Sequence, residues 1–259
     1  MRLVGPRERQ PLLHVAERRG EGPPVVLIHG IASSSVTFQN VIPLIEDDHL
    51  CIAIDLLGFG GSPIPENSEY TIGEHVAAIE RTIRSLHLTG SFTLVGHSMG
   101  ALIAARFASQ FPRQVRKVVL VSPPIYLSPA ELTNALDRRV MDFYLKAYAY
   151  IRENKNFTLR HAQIVERFLP IPKAMDINER TWTPFVKSLQ NSIESQTTIS
   201  DLAAVKAPID VIYGSMDEFH SEGVLKIVSR MTGVTMHRVV GSDHLIGKRL
   251  ARVVAAAVR

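Results

Sequence analysis

The sequence predicts an α/β fold built on a mostly parallel, doubly wound sheet flanked by helices. Three observations carry that expectation. Short continuous apolar runs, such as Val25-Val26-Leu27-Ile28 and Leu50-Cys51-Ile52-Ala53-Ile54, read as strands buried on both faces. They alternate with stretches of helical apolar spacing, and that alternation belongs to parallel sheets. The run Phe92-Thr93-Leu94-Val95 stops at Gly96-His97-Ser98-Met99-Gly100 and continues as a small-residue helical pattern, so it reads as strand, tight turn, helix.

Taken in order, Pro11 to Glu17 is expected as a short strand, and Val25 to Ile28 as a buried one that ends in His29-Gly30-Ile31-Ala32-Ser33. Val36 to Ile45 has helical spacing. Leu50 to Ile54 is the next strand, broken by the glycine-rich Asp55-Leu56-Leu57-Gly58-Phe59-Gly60-Gly61-Ser62. Ile72 to Leu86 is an amphipathic helix with Thr71 as its N-cap. The serine turn follows, with a helix over Met99 to Gln110 and a strand over Val115 to Val121. At Ser122-Pro123-Pro124 the rhythm breaks, and residues 125–200 show helical patterns without a buried strand. It resumes with a strand at Ile209 to Tyr213, a helix at Ser221 to Met231, a strand at Thr235 to Val240 and a last helix at Leu245 to Val258. The expected organisation is a core domain of residues 1–122 and 201–259 carrying a helical insert, 123–200, after the sixth strand.

Composition bounds the function. With 259 residues, 46% of them hydrophobic and 21% charged, the chain can bury one full core, which argues against disorder. The net charge of +4 comes from scattered Lys and Arg, without the basic stripe and interleaved aromatics that nucleic-acid binding needs. No apolar run approaches the ~20 residues that cross a bilayer. The start has charges but no apolar core region, so no secretory signal is expected. Cys51 is alone, in a strand-like run, and reads as a small core hydrophobe. A reducing, cytoplasmic setting is the resulting expectation. No His-Glu-x-x-His or Cys/His cluster suggests a metal, and no cofactor is expected.

A serine flanked at two residues' distance by glycines is the signature of a cramped turn that leaves the hydroxyl standing clear. Together with His29-Gly30 after a strand, the Asp55 to Ser62 loop, Tyr213-Gly214-Ser215-Met216-Asp217 and Gly241-Ser242-Asp243-His244, that turn makes the chain resemble the α/β-hydrolase family over nearly its whole length outside the insert. The family's chain order is nucleophile, acid, histidine, and Ser98, Asp217 and His244 fall in that order. A neutral serine hydroxyl needs a base to take its proton, His244 suits that task near neutral pH, and Asp217 would fix the imidazole tautomer. Asp201 lies at the end of the insert, Asp210 inside a strand and Asp243 beside the histidine, which leaves Glu218 as the nearest rival to Asp217. The resemblance places the oxyanion hole at the backbone N–H groups of Ile31 and Met99. His29 and His97 are expected to order the site without exchanging protons.

Family inserts at this place act as a lid, so the resemblance also implies that the insert covers Ser98. Its Met141, Tyr144, Tyr148, Trp182 and Phe185 are the expected substrate-binding residues, and a lid of this composition points to an apolar acyl or alkoxy group. The expected function is hydrolysis of small to medium apolar carboxylic esters through an acyl-enzyme, with a small apolar ester or acid as partner. Serine at the elbow separates the chain from relatives with Asp there, which open epoxides or displace halide. The elbow lacks the tryptophan after serine of prolyl-peptidase relatives, and Ile31-Ala32 lacks the aromatic of perhydrolases. A second reading is a carbon–carbon bond hydrolase of a vinylogous diketo acid, served by Thr37-Phe38-Gln39-Asn40 with Arg180 and Trp182. Against it, Leu245-Ile246 follow His244 where that group carries an aromatic. A third is a small-ligand receptor on the same fold, which would have no need for a strained serine.

Overall fold

The computed structural model describes residues 11–127, 135–166 and 175–259. Seven strands form one sheet in the order β1-β3-β2-β4-β5-β6-β7. They are β1 (Val15–Arg19), β2 (Pro24–Ile28), β3 (Leu50–Ile54), β4 (Phe92–His97), β5 (Val115–Val121), β6 (Ile209–Gly214) and β7 (Val234–Val239). Among the described residues only the β1 and β3 pairing is antiparallel.

The continuous apolar runs sort by alternation onto two cores. Val26, Ile28, Ile52, Ile54, Leu94, Val118 and Leu120 face one side, with α2 (Ile72–Ser85) and α3 (Met99–Gln110) packed over them. Val25, Leu27, Cys51, Ala53, Val95, Val119 and Val121 face the other, under α1 (Ile42–Ile45) and a C-terminal helix, Lys248–Val258. Because both faces are covered, no polar alternation survives in these strands. At the start of α2 the Thr71 hydroxyl accepts from the Glu74 N–H while the Glu74 carboxylate accepts from the Thr71 N–H, a reciprocal cap that fixes where the helix begins.

Chain order reverses between β2 and β4: from β2 the chain moves outward to β3, then returns to β4 on the opposite side of β2. Carboxyl ends of neighbouring strands at such a reversal leave a crevice. Here they bring His29-Gly30 beside His97-Ser98, with Ile28 paired to Gly96 in register.

Between β5 and β6 lie α4 (Ala135–Glu153), α5 (Lys155–Glu166), α6 (Trp182–Ser188), a π-helical turn at Leu189–Glu194 and α7 (Thr198–Ala204). Helix α7 therefore straddles residue 200. Hydrogen bonds tie this segment down: Gln196 Nε2 donates to the Pro124 carbonyl at 2.8 Å, Ser192 Oγ to the Tyr70 carbonyl at 2.8 Å, and Asp176 N–H to the Ala32 carbonyl at 2.6 Å. After it come α8 (Glu222–Val228), β7 and the C-terminal helix, α9.

Some boundaries differ from expectation. Val115–Val121 is the fifth of the described strands, so among the described residues the insert follows the fifth and not the sixth, with one described strand, β1, ahead of the parallel run. The Val36 to Ile45 pattern splits into a 3-10 turn, Ser35–Phe38, and α1, since Pro43 supplies no N–H and sits only in a first helical turn. Helix α9 starts at Lys248, with Gly247 as its N-cap, which leaves Leu245 and Ile246 in a loop.

Candidate active site

Ser98 joins β4 to α3 with φ 52° and ψ −125°, a conformation costly for a residue with a Cβ. Surrounding packing holds it there. A Cβ on Gly96 would stand 2.3 Å from the Gly100 carbonyl oxygen, and one on Gly100 would stand 2.3 Å from that of His29. Both contacts are with backbone, so only glycine fits. The Ser98 N–H donates to the Val121 carbonyl at 2.9 Å, tying the turn to β5. Met99 is the first residue of α3, so its N–H has no intrahelical acceptor. Its side chain is fully buried.

His244 follows β7, and its Nδ1 lies 3.1 Å from both carboxylate oxygens of Asp217. The carboxylate accepts, so Nδ1 carries the proton and Nε2 keeps its lone pair. Asp217 is 6% exposed. Burial pushes its pKa up, but the His244 hydrogen bond and charge, with the Phe219 N–H, outweigh that and hold it below the ordinary carboxylate value. Glu218 is exposed, and its carbonyl accepts from the Tyr144 hydroxyl. Of the two neighbours, Asp217 is the one that meets His244.

His29 is fully buried, accepts the Leu56 N–H at Nε2 (2.8 Å) and donates from Nδ1 to the Gly30 carbonyl (2.7 Å). Burial pushes its pKa down, so it is neutral. Asp55 accepts from the Ser35 and Gly61 N–H groups, each at 2.8 Å, and from His14 Nδ1 at 2.9 Å, while Ser62 Oγ donates to its carbonyl at 2.6 Å. That loop is a structural hub, and neither Asp55 nor Ser62 lines the cavity.

A cavity of about 520 Å³ opens at the carboxyl ends of the strands. Ser98, His97, His244, Gly30 and Ile31 line its floor, and Phe219, Leu245 and Ile246 one wall. Of the expected substrate-binding residues, Tyr148 and Phe185 line it, whereas Tyr144 and Trp182 are not among its lining residues. Tyr144 stacks between Tyr126 and Tyr148, with centroids 6.0 and 6.4 Å away, and Trp182 packs beneath the Lys155 ammonium, 5.9 Å from its ring. Met141 lies outside the described side chains. Sequence reasoning missed Ile151, Leu189 and Ile193 as cavity residues, although their helical register with Tyr148 and Phe185 carried the signal. It also missed Ile177 and Phe219, which sit in loops where no periodicity exists.

Sheet order, the strained serine turn and a histidine–carboxylate pair at the same end of the sheet define a hydrolase of the α/β class. A family model described as alpha/beta hydrolase fold matches residues 23–247, and the chain belongs to that family. It is 42% identical over 109 residues to Probable lysophospholipase BODYGUARD 4 of Arabidopsis thaliana, which covers 41% of this chain and 26% of that one. It is 30% identical over 153 residues to Serine hydrolase-like protein 2 of Homo sapiens, covering 58% of this chain and 48% of that one. The matched stretches thus span about a quarter of the plant relative and half of the human one. A haloalkane dehalogenase loop variant from Bradyrhizobium elkanii superposes with TM-score 0.70 at 19% identity, over 93% of this chain and 91% of that one. E-2-(Acetamidomethylene)succinate hydrolase does so with TM-score 0.67 at 21% identity, over 93% and 91%. At such identities the likeness is one of fold. Among the described residues no helix is long and apolar enough to cross a membrane, and no cluster of three or more His, Cys, Asp or Glu is placed to hold a metal.

Proposed function

We propose that the chain is a serine ester hydrolase acting on small to medium apolar carboxylic esters, without a cofactor and in a reducing, cytoplasmic setting. The observation that carries this reading is His244, hydrogen-bonded to the buried Asp217, opening onto the same apolar cavity as Ser98. His244 Nε2 takes the Ser98 hydroxyl proton as Oγ attacks the ester carbonyl carbon. The oxyanion that forms is held by the Ile31 and Met99 N–H groups, at the positive end of α3. Collapse expels the alcohol, which takes the proton from His244 and leaves the acyl group on Ser98. Water then attacks that carbonyl and gives a proton to His244, which passes it to the departing Ser98 Oγ as the acid is released. Asp217 keeps the imidazole in the required tautomer and offsets the imidazolium charge.

In this reading residues 123–200 act as a lid, and Tyr148, Ile151, Phe185, Leu189 and Ile193 form the acyl-binding wall. The carbon–carbon hydrolase reading relied on Thr37-Phe38-Gln39-Asn40 with Arg180 and Trp182 to meet a carboxylate, and of the first group Thr37 lines the cavity. Arg180 Nη2 donates instead to the Gly60 carbonyl at 2.6 Å, and neither it nor Trp182 lines the cavity, which favours the ester. The test is a screen of pure protein against p-nitrophenyl esters of increasing acyl length beside a ring-cleavage diketo acid. Turnover of esters alone is the expected result; turnover of the diketo acid alone would replace this reading by the other.

A further inference from the structure

Tyr144 is set back from the cavity, yet its hydroxyl is committed to the loop that carries Asp217. From α4 in the insert it donates to the Glu218 carbonyl, in the turn that follows β6. Burial, then the Glu218 and Asp217 charges, push its pKa up, so at neutral pH the phenol keeps the proton it donates. The ring is held as firmly as the hydroxyl. It stacks on Tyr126 and on Tyr148, each at an interplanar angle of 22°, and its centroid lies 6.4 Å from that of Phe219. Phe219 in turn meets the His244 ring edge to face, with centroids 4.7 Å apart.

The carbonyl that Tyr144 holds belongs to a peptide group with a second duty. The Glu218 carbonyl and the Phe219 N–H are the two ends of one planar unit, so fixing one fixes the other. That N–H donates to Asp217 Oδ1 at 3.0 Å, and the same oxygen accepts from His244 Nδ1 at 3.1 Å. A continuous series of hydrogen bonds therefore runs from the Tyr144 hydroxyl, through the Glu218–Phe219 peptide, to the Asp217 carboxylate and the His244 ring. A donor on the carbonyl polarises the peptide and makes its N–H a stronger donor, so each bond in the series reinforces the next. Rotating the peptide to free the Phe219 N–H would also break the bond to Tyr144.

We propose that Tyr144 is a positioning residue for Asp217: it holds the Glu218–Phe219 peptide so that the Phe219 N–H keeps the carboxylate turned to His244. It touches neither the substrate nor the reacting atoms. The inference rests on the roles of Asp217 and His244 proposed above, and it couples the seating of α4 to the orientation of the acid.

Tyr144→Phe removes the hydroxyl and keeps the ring. Tyr150→Phe, on the same helix at a position 50% exposed, is the control. Steady-state rates are measured with p-nitrophenyl butyrate, and the backbone amide ¹H resonance of Phe219 is followed at neutral pH. In Tyr144→Phe, kcat is expected to fall about three- to tenfold, the worth of one hydrogen bond. KM should stay within about twofold, since Tyr144 is not among the residues that line the cavity. The Phe219 amide resonance should move upfield as its bond to Asp217 weakens. Tyr150→Phe should match wild type in all three. An amide resonance that stays in place in Tyr144→Phe overturns the proposal whatever the rate does, because a contact that only packs the insert could lower the rate without reaching that N–H. A resonance that moves while kcat stays at the wild-type value overturns it as well. If wild type turns over no ester, the hydrolase reading fails, and the resonance still decides whether Tyr144 acts on Asp217.

Discussion

Gly96 and Gly100 face one another across the Ser98 turn so closely that a methyl group on Gly96 would stand 2.3 Å from the Gly100 carbonyl oxygen. Backbone on one side and α3 on the other leave no cheap relaxation. Gly96→Ala is therefore expected to cost about 3 kcal/mol or more and to remove activity with it. Gly73, at the exposed start of α2, meets nothing nearer than 3.8 Å, so Gly73→Ala is expected to stabilise by roughly 0.5 kcal/mol. Urea unfolding of the two variants checks both signs; equal effects would mean that the elbow has room that its geometry denies.

The Asp217 carboxylate reaches His244, while its neighbour Glu218 is exposed and lines the cavity mouth without a hydrogen bond to that ring. Asp217→Asn is expected to lower kcat by about 10³- to 10⁴-fold, since an amide favours the wrong imidazole tautomer. Glu218→Gln should change it by less than about threefold. Saturating-substrate rates decide, and a larger loss for Glu218→Gln would move the acid by one residue.

Stability should fall in mild acid. His75 and His97 are buried and each is held at a pKa of about 3, against 6.5 for an ordinary histidine. Between those values the unfolded chain binds protons that the folded one refuses, so stability is lost as pH falls from about 6.5 towards about 3. Each histidine contributes up to about 1.4 kcal/mol per pH unit to that slope. His75 lies 3.5 Å from Ser188 Oγ, between α2 and the insert, and takes no part in the proposed chemistry. His75→Gln should flatten the slope near pH 5 by about 1.4 kcal/mol per unit in urea titrations, whatever it does to stability at pH 7. An unchanged slope would show that His75 charges in the folded protein.

Phe185 lines the cavity and Trp182, three residues earlier, does not. Phe185→Ala is expected to shift the ratio of kcat/KM for long over short acyl esters by about tenfold, because each methylene accommodated is worth ~1–3 kcal/mol. Trp182→Ala should leave that ratio within about twofold. A ratio that responds to Trp182 and ignores Phe185 would mean that substrate enters from the other side of α6.

Elements with strong local rules were legible from the amino-acid sequence. Helix α3 runs from Met99 to Gln110 and β5 from Val115 to Val121, both as expected, because burial of most of their residues leaves long apolar runs. Glycine spacing singled out Ser98, and resemblance to the α/β-hydrolase family, with its order of nucleophile, acid and histidine, singled out Asp217 and His244; the structure brings His244 to Asp217 and opens both Ser98 and His244 onto one cavity. The cavity wall was less legible. Apolar periodicity says which helix face is buried but not whether it meets another helix or a void, so Tyr148 and Trp182 looked alike. The hold of Tyr144 on the Glu218 carbonyl joins residues 74 apart in the chain, which no local pattern encodes.

The central claim is an acyl group carried by Ser98, and the most direct measurement is the mass of protein quenched during turnover of p-nitrophenyl butyrate. The account predicts a single added butyryl group on the peptide that contains Ser98, stronger in Asp217→Asn if deacylation slows more than acylation, and absent from Ser98→Ala, which turns over no ester. Hydrolysis by Ser98→Ala near the wild-type rate, or a butyryl group found on another residue and not on Ser98, would contradict it.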